Sequence, residues 1–393
     1  MKKIIYVLLL IIGFVFNTNA QSTIDSVLST IERNNKTIIA NVQFWEAKKM
    51  EYKTGLTPYN PKVDFDYLNG SPVGAGNQTD FAVTQAFDFP TAYIKKKQLS
   101  NTQIEQVEFQ LISSKQDILL ESKIICIELI YRNKFHTEIN KRKKNTEKWL
   151  SDFQSKLNNG EGNIFDVNKA KLQLIEINAL FQENVSVINQ LNLKLTELNG
   201  GQSIVFSDTT FSQNLSILDF ESLQVEIEAS DPVKKYLDQE IVIAQKQIEF
   251  SKAMALPKLE TGYHYQTTLG QTFNGIHLGL TIPLWENKNR VKAEQASLIF
   301  NDLNLEDHKN EHYYDLKQKY EKHENLKITL AEYDSLFSSS NQIDLLDKSL
   351  SIGQISTIEY FMEMTYYYNA LNNYLKTEME HQKVLAELYK YKL

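Results

Sequence analysis

The chain has 393 residues, with 42 Lys and Arg against 49 Asp and Glu, a formal charge of −7 at pH 7, and a single cysteine. This balance excludes a nucleic-acid partner, because phosphate recognition needs clustered excess Lys and Arg to replace counterions. It also excludes an intrachain disulfide, and Cys126, set among Ile124, Ile125 and Ile127, reads as a buried, inert thiol.

The chain opens on a targeting pattern. Lys2 and Lys3 precede an apolar run over 4–16, and small and polar residues lead to Ala20. A spanning helix needs roughly 20 apolar residues, so 1–20 is expected to be a cleaved secretory signal. Losing its two lysines and no acids takes the charge from −7 to −9. No cysteine follows the run, so no lipid anchor is expected. No second stretch of 18 apolar residues occurs. Membrane passage would therefore need β-strands, which require only about 9–11 residues each.

From there the chain is one unit written twice. Pro61-Lys62-Val63-Asp64-Phe65-Asp66-Tyr67 matches Pro257-Lys258-Leu259-Glu260-Thr261-Gly262-Tyr263, and Phe87-Asp88-Phe89-Pro90 matches Leu280-Thr281-Ile282-Pro283. The stretch 157–166, with Gly160, Asn163 and Asp166, matches 350–359, with Gly353, Ser356 and Glu359. The first copy is expected over 21–200, the second over 231–393, with a Ser-, Asp- and Thr-rich linker at 201–230. Within the copies the hairpins fall at 61–90 and 257–283, and the long helices at 91–200 and 286–393.

In chain order the first copy reads as a helix over 23–54, then strands at 62–68 and 79–89. Residues 91–157 contain neither Pro nor Gly, which as a helix would reach about 100 Å at 1.5 Å per residue. A turn and a helix over 164–198 complete it. The second copy gives strands at 258–268 and 272–282, then helices over 286–350 and 357–391.

The helices carry 3-4 stripes. Val167, Ala170, Leu174, Ile177, Phe181, Asn184, Ile188, Leu191, Leu195 and Leu198 form one; Ile104, Val107, Leu111, Ser114, Ile118, Ser122, Ile125 and Leu129 form another. Such spacing keeps one seam on a partner helix in a left-handed supercoil. Leu172, Leu180 and Val187 widen that surface to a second neighbour. The strands alternate: Phe81, Val83, Gln85, Phe87 and Phe89 share one side, as do Ile276, Leu278, Leu280 and Ile282. In a membrane barrel these would meet lipid, and the intervening residues a watery lumen. A half-buried soluble sheet gives the same alternation.

Four strands cannot close a barrel, and open edges in hydrocarbon strand backbone polar groups. Two protomers would supply eight strands and three would supply twelve; a barrel of about eight is filled by its own side chains. The twofold repeat, the segments 85–93 (QAFDFPTAY) and 279–287 (GLTIPLWEN), and the Gly160 and Gly353 turns together resemble the TolC-like outer-membrane efflux proteins. The resemblance spans essentially the whole mature chain. It implies a mainly α protomer of a homotrimer, with four strands each in a 12-stranded outer-membrane β-barrel above a coiled-coil helical tunnel. It implies docking to a periplasmic adaptor and an inner-membrane pump of the RND type. The Phe-Asp-Phe-Pro segment looks like that of ducts serving heavy-metal pumps. Drug efflux and protein secretion stay open as cargo routes, and a soluble periplasmic coiled-coil scaffold is the rival of another class.

In such a tunnel the two turns would form the closed periplasmic end. Gly160 and Gly353 would stop one helix, and Asn163 and Ser356 would cap the next. Asp166 and Glu359 complement the positive helix starts, and in a trimer would gather six carboxylates as gate and selectivity candidates. Asn158, Asn159, Gln354 and Ile355 are the candidate adaptor contacts. His308 and His312, one helical turn apart, have metal-binding spacing but also suit an ordinary helix face. His264 and His277 fall on the polar strand sides. No phosphate loop, nucleophile elbow or Cys cluster occurs, so no catalytic residue and no cofactor are expected.

Overall fold

A computed structural model describes residues 23–211, 217–339 and 342–393; the expected signal segment lies outside them. The chain is mainly helical with one four-stranded antiparallel sheet in the order β1-β2-β3-β4. In chain order come α1 (Ile24–Asn34), α2 (Lys36–Tyr52), β1 (Lys62–Leu68), β2 (Gln78–Phe87), α3 (Pro90–Asn158) and α4 (Ile164–Leu198). Then follow α5 (Phe220–Ser230), α6 (Pro232–Ala253), β3 (Lys258–Thr268), β4 (Gln271–Thr281), α7 (Arg290–Ser339), α8 (Gln342–Ser351) and α9 (Thr357–Leu388). No described helix is long and apolar enough to cross a membrane.

The expected helix over 23–54 is two helices. Asn35 leaves the helical region at φ −63°, ψ 122°, and its buried side-chain amide donates to the Leu198 carbonyl at 2.7 Å. Asn34 adds a bond to Asn199 at 3.0 Å. A buried amide left unpaired would cost about 1–3 kcal/mol, so the tertiary bond outweighs helix continuity there. The helix expected from 286 starts instead at Arg290, because Asn289 takes a left-handed φ of +64°. The linker holds α5, capped by Asp219, whose carboxylate accepts from the Ser222 amide at 3.0 Å.

The chain forms two compact units, and each draws on both repeat copies. One holds both hairpins, with α2, α5, α6 and the adjoining parts of α3 and α7. Leu99 and Val107 of α3, Leu223 and Ile227 of α5, and Leu237 and Ala244 of α6 are among its buried residues. Polar ties add specificity: Gln106 donates to Glu240 at 2.6 Å, and Lys95 pairs with Glu249 at 2.9 Å. The other unit holds both turns, with α1, α4, α8, α9 and the remaining parts of α3 and α7.

In the turn unit the α4 stripe is buried at Val167, Ala170, Ile177, Asn184, Leu195 and Leu198. Phe135 and Ile139 of α3, Ile177 of α4 and Leu375 of α9 make one core cluster. A second joins Trp149 and Phe153 to Val167, Ala170, Tyr360, Met364 and Tyr368. Arg142, 4% exposed, lies over the Tyr368 ring at 4.1 Å and donates to Asn372 at 2.8 Å. Cys126 is fully buried, and burial pushes its thiol up to about 12, which leaves it unreactive at neutral pH.

Candidate functional site

The sheet separates its side chains by charge. Residues paired across antiparallel strands share a face, so the register Val63–Val83–Tyr263–Ile276 places these four together. The rows Phe65–Phe81–Tyr265 and Phe87–Leu259–Leu280 join them, and Leu278 stands opposite Thr261. That face carries no Asp, Glu, Lys, Arg or His in any strand. Lys62, Asp64, Asp66, Asp80, Lys258, Glu260, His264 and His277 all lie on the other. The sequence-assigned residues Phe81, Val83, Phe87, Ile276, Leu278 and Leu280 fall together on the uncharged face. Phe89 and Ile282 lie just past the ends of β2 and β4 and outside the ladder.

The uncharged face is open: Ile276 is 82% exposed, Leu278 78% and Phe65 66%. A contiguous apolar surface of this kind on a protein marks an interaction with lipid or another chain. On the charged face His264 and His277 do not meet each other. His264 lies 3.4 Å from Asp80, and His277 lies 3.4 Å from Glu260. At the hairpin ends Leu68 and Phe273 also occupy that face.

The two turns share one architecture. Gly160, at φ +79°, follows α3; its amide donates to Leu157 and that of Glu161 to Lys156. Gly353, at φ +73°, repeats this with Leu350 and Ser349. Both are helix stops in which glycine supplies the left-handed residue without a Cβ clash. Asn163 then caps α4, its side-chain oxygen accepting from the Phe165 amide at 2.9 Å. Ser356 caps α9 within a full capping box: Glu359 N–H donates to the hydroxyl at 3.2 Å, and the Ser356 amide donates to the Glu359 carboxylate at 2.8 Å. These bonds hold the Glu359 carboxyl below its ordinary range.

Of the candidate contact residues, Asn158, Asn159 and Gln354 are exposed. Ile355, the fourth candidate contact, is half-buried against the Tyr360 cluster, so it braces the turn. The exposed apolar residues here are Ile164, Phe165, Ile352 and Ile358, which stripe reading passed over because they sit off the seam. Asp166 stands in the first turn of α4.

His308 bonds Asp231 at 2.9 Å, and Asp231 also caps α6 through the Val233 amide at 2.8 Å. His312 stacks obliquely at 5.6 Å from His308. Among the described residues no group of three or more His, Cys, Asp or Glu is arranged to hold a metal ion. His308 thereby fastens α7 to the start of α6. A second histidine pair escaped sequence reading because its members are 58 residues apart: His323 of α7 and His381 of α9, both buried and 2.9 Å apart. Burial and the neighbouring ring bring His381 down to about 4, and burial lowers His323 as well.

No protein family's sequence profile matches the chain, and no curated protein is recognisably similar. Solved structures are. A membrane protein from Pseudomonas aeruginosa aligns at TM-score 0.77 and 12% identity, covering 95% of this chain and 90% of that one. The Campylobacter jejuni CmeC outer membrane channel aligns at 0.72 and 12%, covering 96% and 89%. The Neisseria gonorrhoeae MtrE outer membrane channel, in its open state, aligns at 0.67 and 11%, covering 94% and 88%. At 11–12% identity such likeness carries architecture. With its duplicated helix–hairpin–helix layout, four-stranded sheet and paired glycine turns, this chain has the fold of the TolC-like outer-membrane efflux channel protomers.

Proposed function

We propose that this chain is the outer-membrane exit duct of a tripartite efflux system, a passive channel that performs no chemistry. The observation that carries the reading is the sheet: eight Asp, Glu, Lys and His side chains on one face and none on the other. A soluble sheet gains nothing from leaving its uncharged face open, whereas lipid requires such a face. The edges of β1 and β4 are unpaired among the described residues. Joining β4 of one protomer to β1 of the next in a homotrimer satisfies them and gives twelve strands, enough to enclose a solute path. The turns then lie at the periplasmic end, where an adaptor and an RND-type pump would dock. The cargo reading we favour is cationic, including heavy-metal ions. It rests on the Phe87-Asp88-Phe89-Pro90 segment and the acidic sheet face.

The test is extraction from the outer membrane in mild detergent, with mass measurement and planar-bilayer recording. Three copies and a conducting channel are expected; a water-soluble monomer in the periplasmic fraction overturns the reading in favour of a scaffold. Val83→Arg or Leu280→Arg should impair insertion by about 2–4 kcal/mol near the bilayer midplane. Thr84→Arg and Thr281→Arg, on the charged face, should insert normally.

A further inference from the structure

Beside its buried seam, α9 carries a second stripe. Glu363, Tyr366, Tyr367 and Ala370 step by three and four and so share one side of the helix, whereas Tyr360, Met364 and Tyr368 belong to the turn cluster. The second side lines a groove of about 420 Å³, completed by Leu336 and Phe337 at the end of α7 and by Gln342, Leu345 and Leu346 at the start of α8. Ligand sites run from about 300 to 1,000 Å³. Phe337 and Tyr367 meet edge-to-face at 5.7 Å with their planes 89° apart, and the Tyr366 ring beside them is exposed. Rings set at right angles around one space offer it both faces and edges, as in aromatic sites that hold quaternary ammonium groups.

The charge of the groove is simple. Glu363 is the one Asp, Glu, Lys, Arg or His among the described lining residues, and no described residue pairs with it. The acids on either side are engaged: Asp334 accepts from Tyr374 at 2.8 Å and Asp347 from Tyr360 at 2.5 Å. So are the cations that act on Tyr367: Lys141 pairs with Glu138 at 2.7 Å, and Arg142 lies over the Tyr368 ring at 4.1 Å.

We propose that this groove binds a lipophilic organic cation, its charge set against Glu363 and its apolar groups against Phe337, Tyr366 and Tyr367. Apolar contact alone would admit any lipophilic solute; the lone carboxylate repels anions, and aromatic faces attract cations. A bare metal ion gains little here, because one carboxylate without His or Cys makes no coordination set. The occupant touches α7, α8 and α9 together, so binding stabilises the folded turn unit. The groove is built from one chain, so the site stands independently of the duct reading.

The experiment is calorimetric titration of the full-length, detergent-extracted protein with tetraphenylphosphonium. Tetraphenylborate, of the same four-ring shape and opposite charge, is the comparison, and each titration is corrected for uptake by micelles alone. The cation should fill a single saturable site per protomer and raise the melting temperature, and the anion should not bind. Glu363→Gln should weaken cation binding at least about fivefold, and Tyr366→Ala about two- to fivefold. Both positions are exposed, so both variants should fold. Wild-type affinity in the Glu363→Gln protein, or equal uptake of the two ions, overturns the site. Protein that takes up neither ion also overturns it and leaves the groove to a neighbouring chain; conduction by that same protein would leave the duct reading standing. Protein that binds the cation as described yet conducts nothing keeps the site and overturns the duct.

Discussion

At position 167 the first repeat copy places a valine; 193 residues on, the second places Tyr360, and both side chains are fully buried in one cluster. Leu157 and Leu350, also 193 apart, pack against the same cluster from their two helices. Farther from the turns the copies diverge in kind. Ile130 and Ile188 of copy one correspond to His323 and His381 of copy two. The repeat thus preserves which positions are filled, because a seam must be dry, and leaves open what fills them. At the three differing pairs of positions the larger or more polar side chain belongs to copy two, whereas Trp149 and Phe153 of the same cluster come from copy one.

The largest effect should come from removing the bulk. Tyr360→Ala empties the centre of the turn cluster, where Trp149 meets the ring edge-on at 5.0 Å, and should cost about 3–5 kcal/mol. Val167→Ala, at the equivalent place, removes two methyl groups and should cost about 1–2 kcal/mol. Denaturant midpoints of the detergent-solubilised protein check this. Equal losses would show that the two positions carry equal weight despite the difference in bulk.

The histidine pair gives the next effect. His381 is held at about 4 in the folded chain, against an ordinary imidazole near 6.5. The unfolded state therefore takes up the proton first. The stability tied to the neutral ring is complete above about pH 6.5 and is lost as pH falls toward 4, on the order of 3 kcal/mol in all. Glu324 and Lys327 are the charged groups that act on the pair, with opposite signs. Installing the first copy's residues, His323→Ile with His381→Ile, removes both polar partners together and should leave stability near wild type at neutral pH. Its melting temperature should then stay level on acidification where the wild type's falls. A parallel fall in both proteins would place the acid sensitivity elsewhere.

These pairings mark how far sequence carries. Local chemistry was legible in most elements. The matching segments after Pro61 and Pro257 put β1 and β3 at 62–68 and 258–268 as found, and the unbroken stripe with the Asn163 cap put α4 at 164–198. Partners distant in sequence were not. Asn35 breaks its helix for a carbonyl 163 residues away, and Ile355 is covered by a cluster built from four helices. The charge-free sheet face was visible in β2 and β4 one strand at a time. Only the register shows that β1 and β3 obey it too, since their sides could not be matched before pairing was known.

Smaller again are the caps. Ser356→Ala removes the hydroxyl that accepts from Glu359 and should cost about 1 kcal/mol. Asn163→Ala should cost a similar amount, and the capping box of the second turn should respond to acid. The Glu359 carboxyl is depressed by the Ser356 amide and hydroxyl, so its cap is intact above the ordinary carboxylate range and is lost as pH falls below it. Hydrogen exchange of the first turn of α9, followed from about pH 6 downward, reads this directly. Protection that falls equally in α4 would mean the capping box adds nothing over a single cap.

The smallest energetic change tests the largest functional claim about the turns. Asp166→Asn with Glu359→Gln keeps side-chain size and removes two negative charges per protomer, six in a trimer. Neither acid is in the buried cluster, so folding and assembly should survive. If the turns gather around one axis, like-charge repulsion and cation attraction both act there. The variant should conduct with a lower cation preference at fixed pH and weaker block by multivalent cations. Ser356→Ala supplies the contrast, loosening the same helix end without changing charge. Should the Asn/Gln variant show unchanged selectivity and block, these acids are helix caps alone, and the charge that selects ions lies elsewhere in the duct.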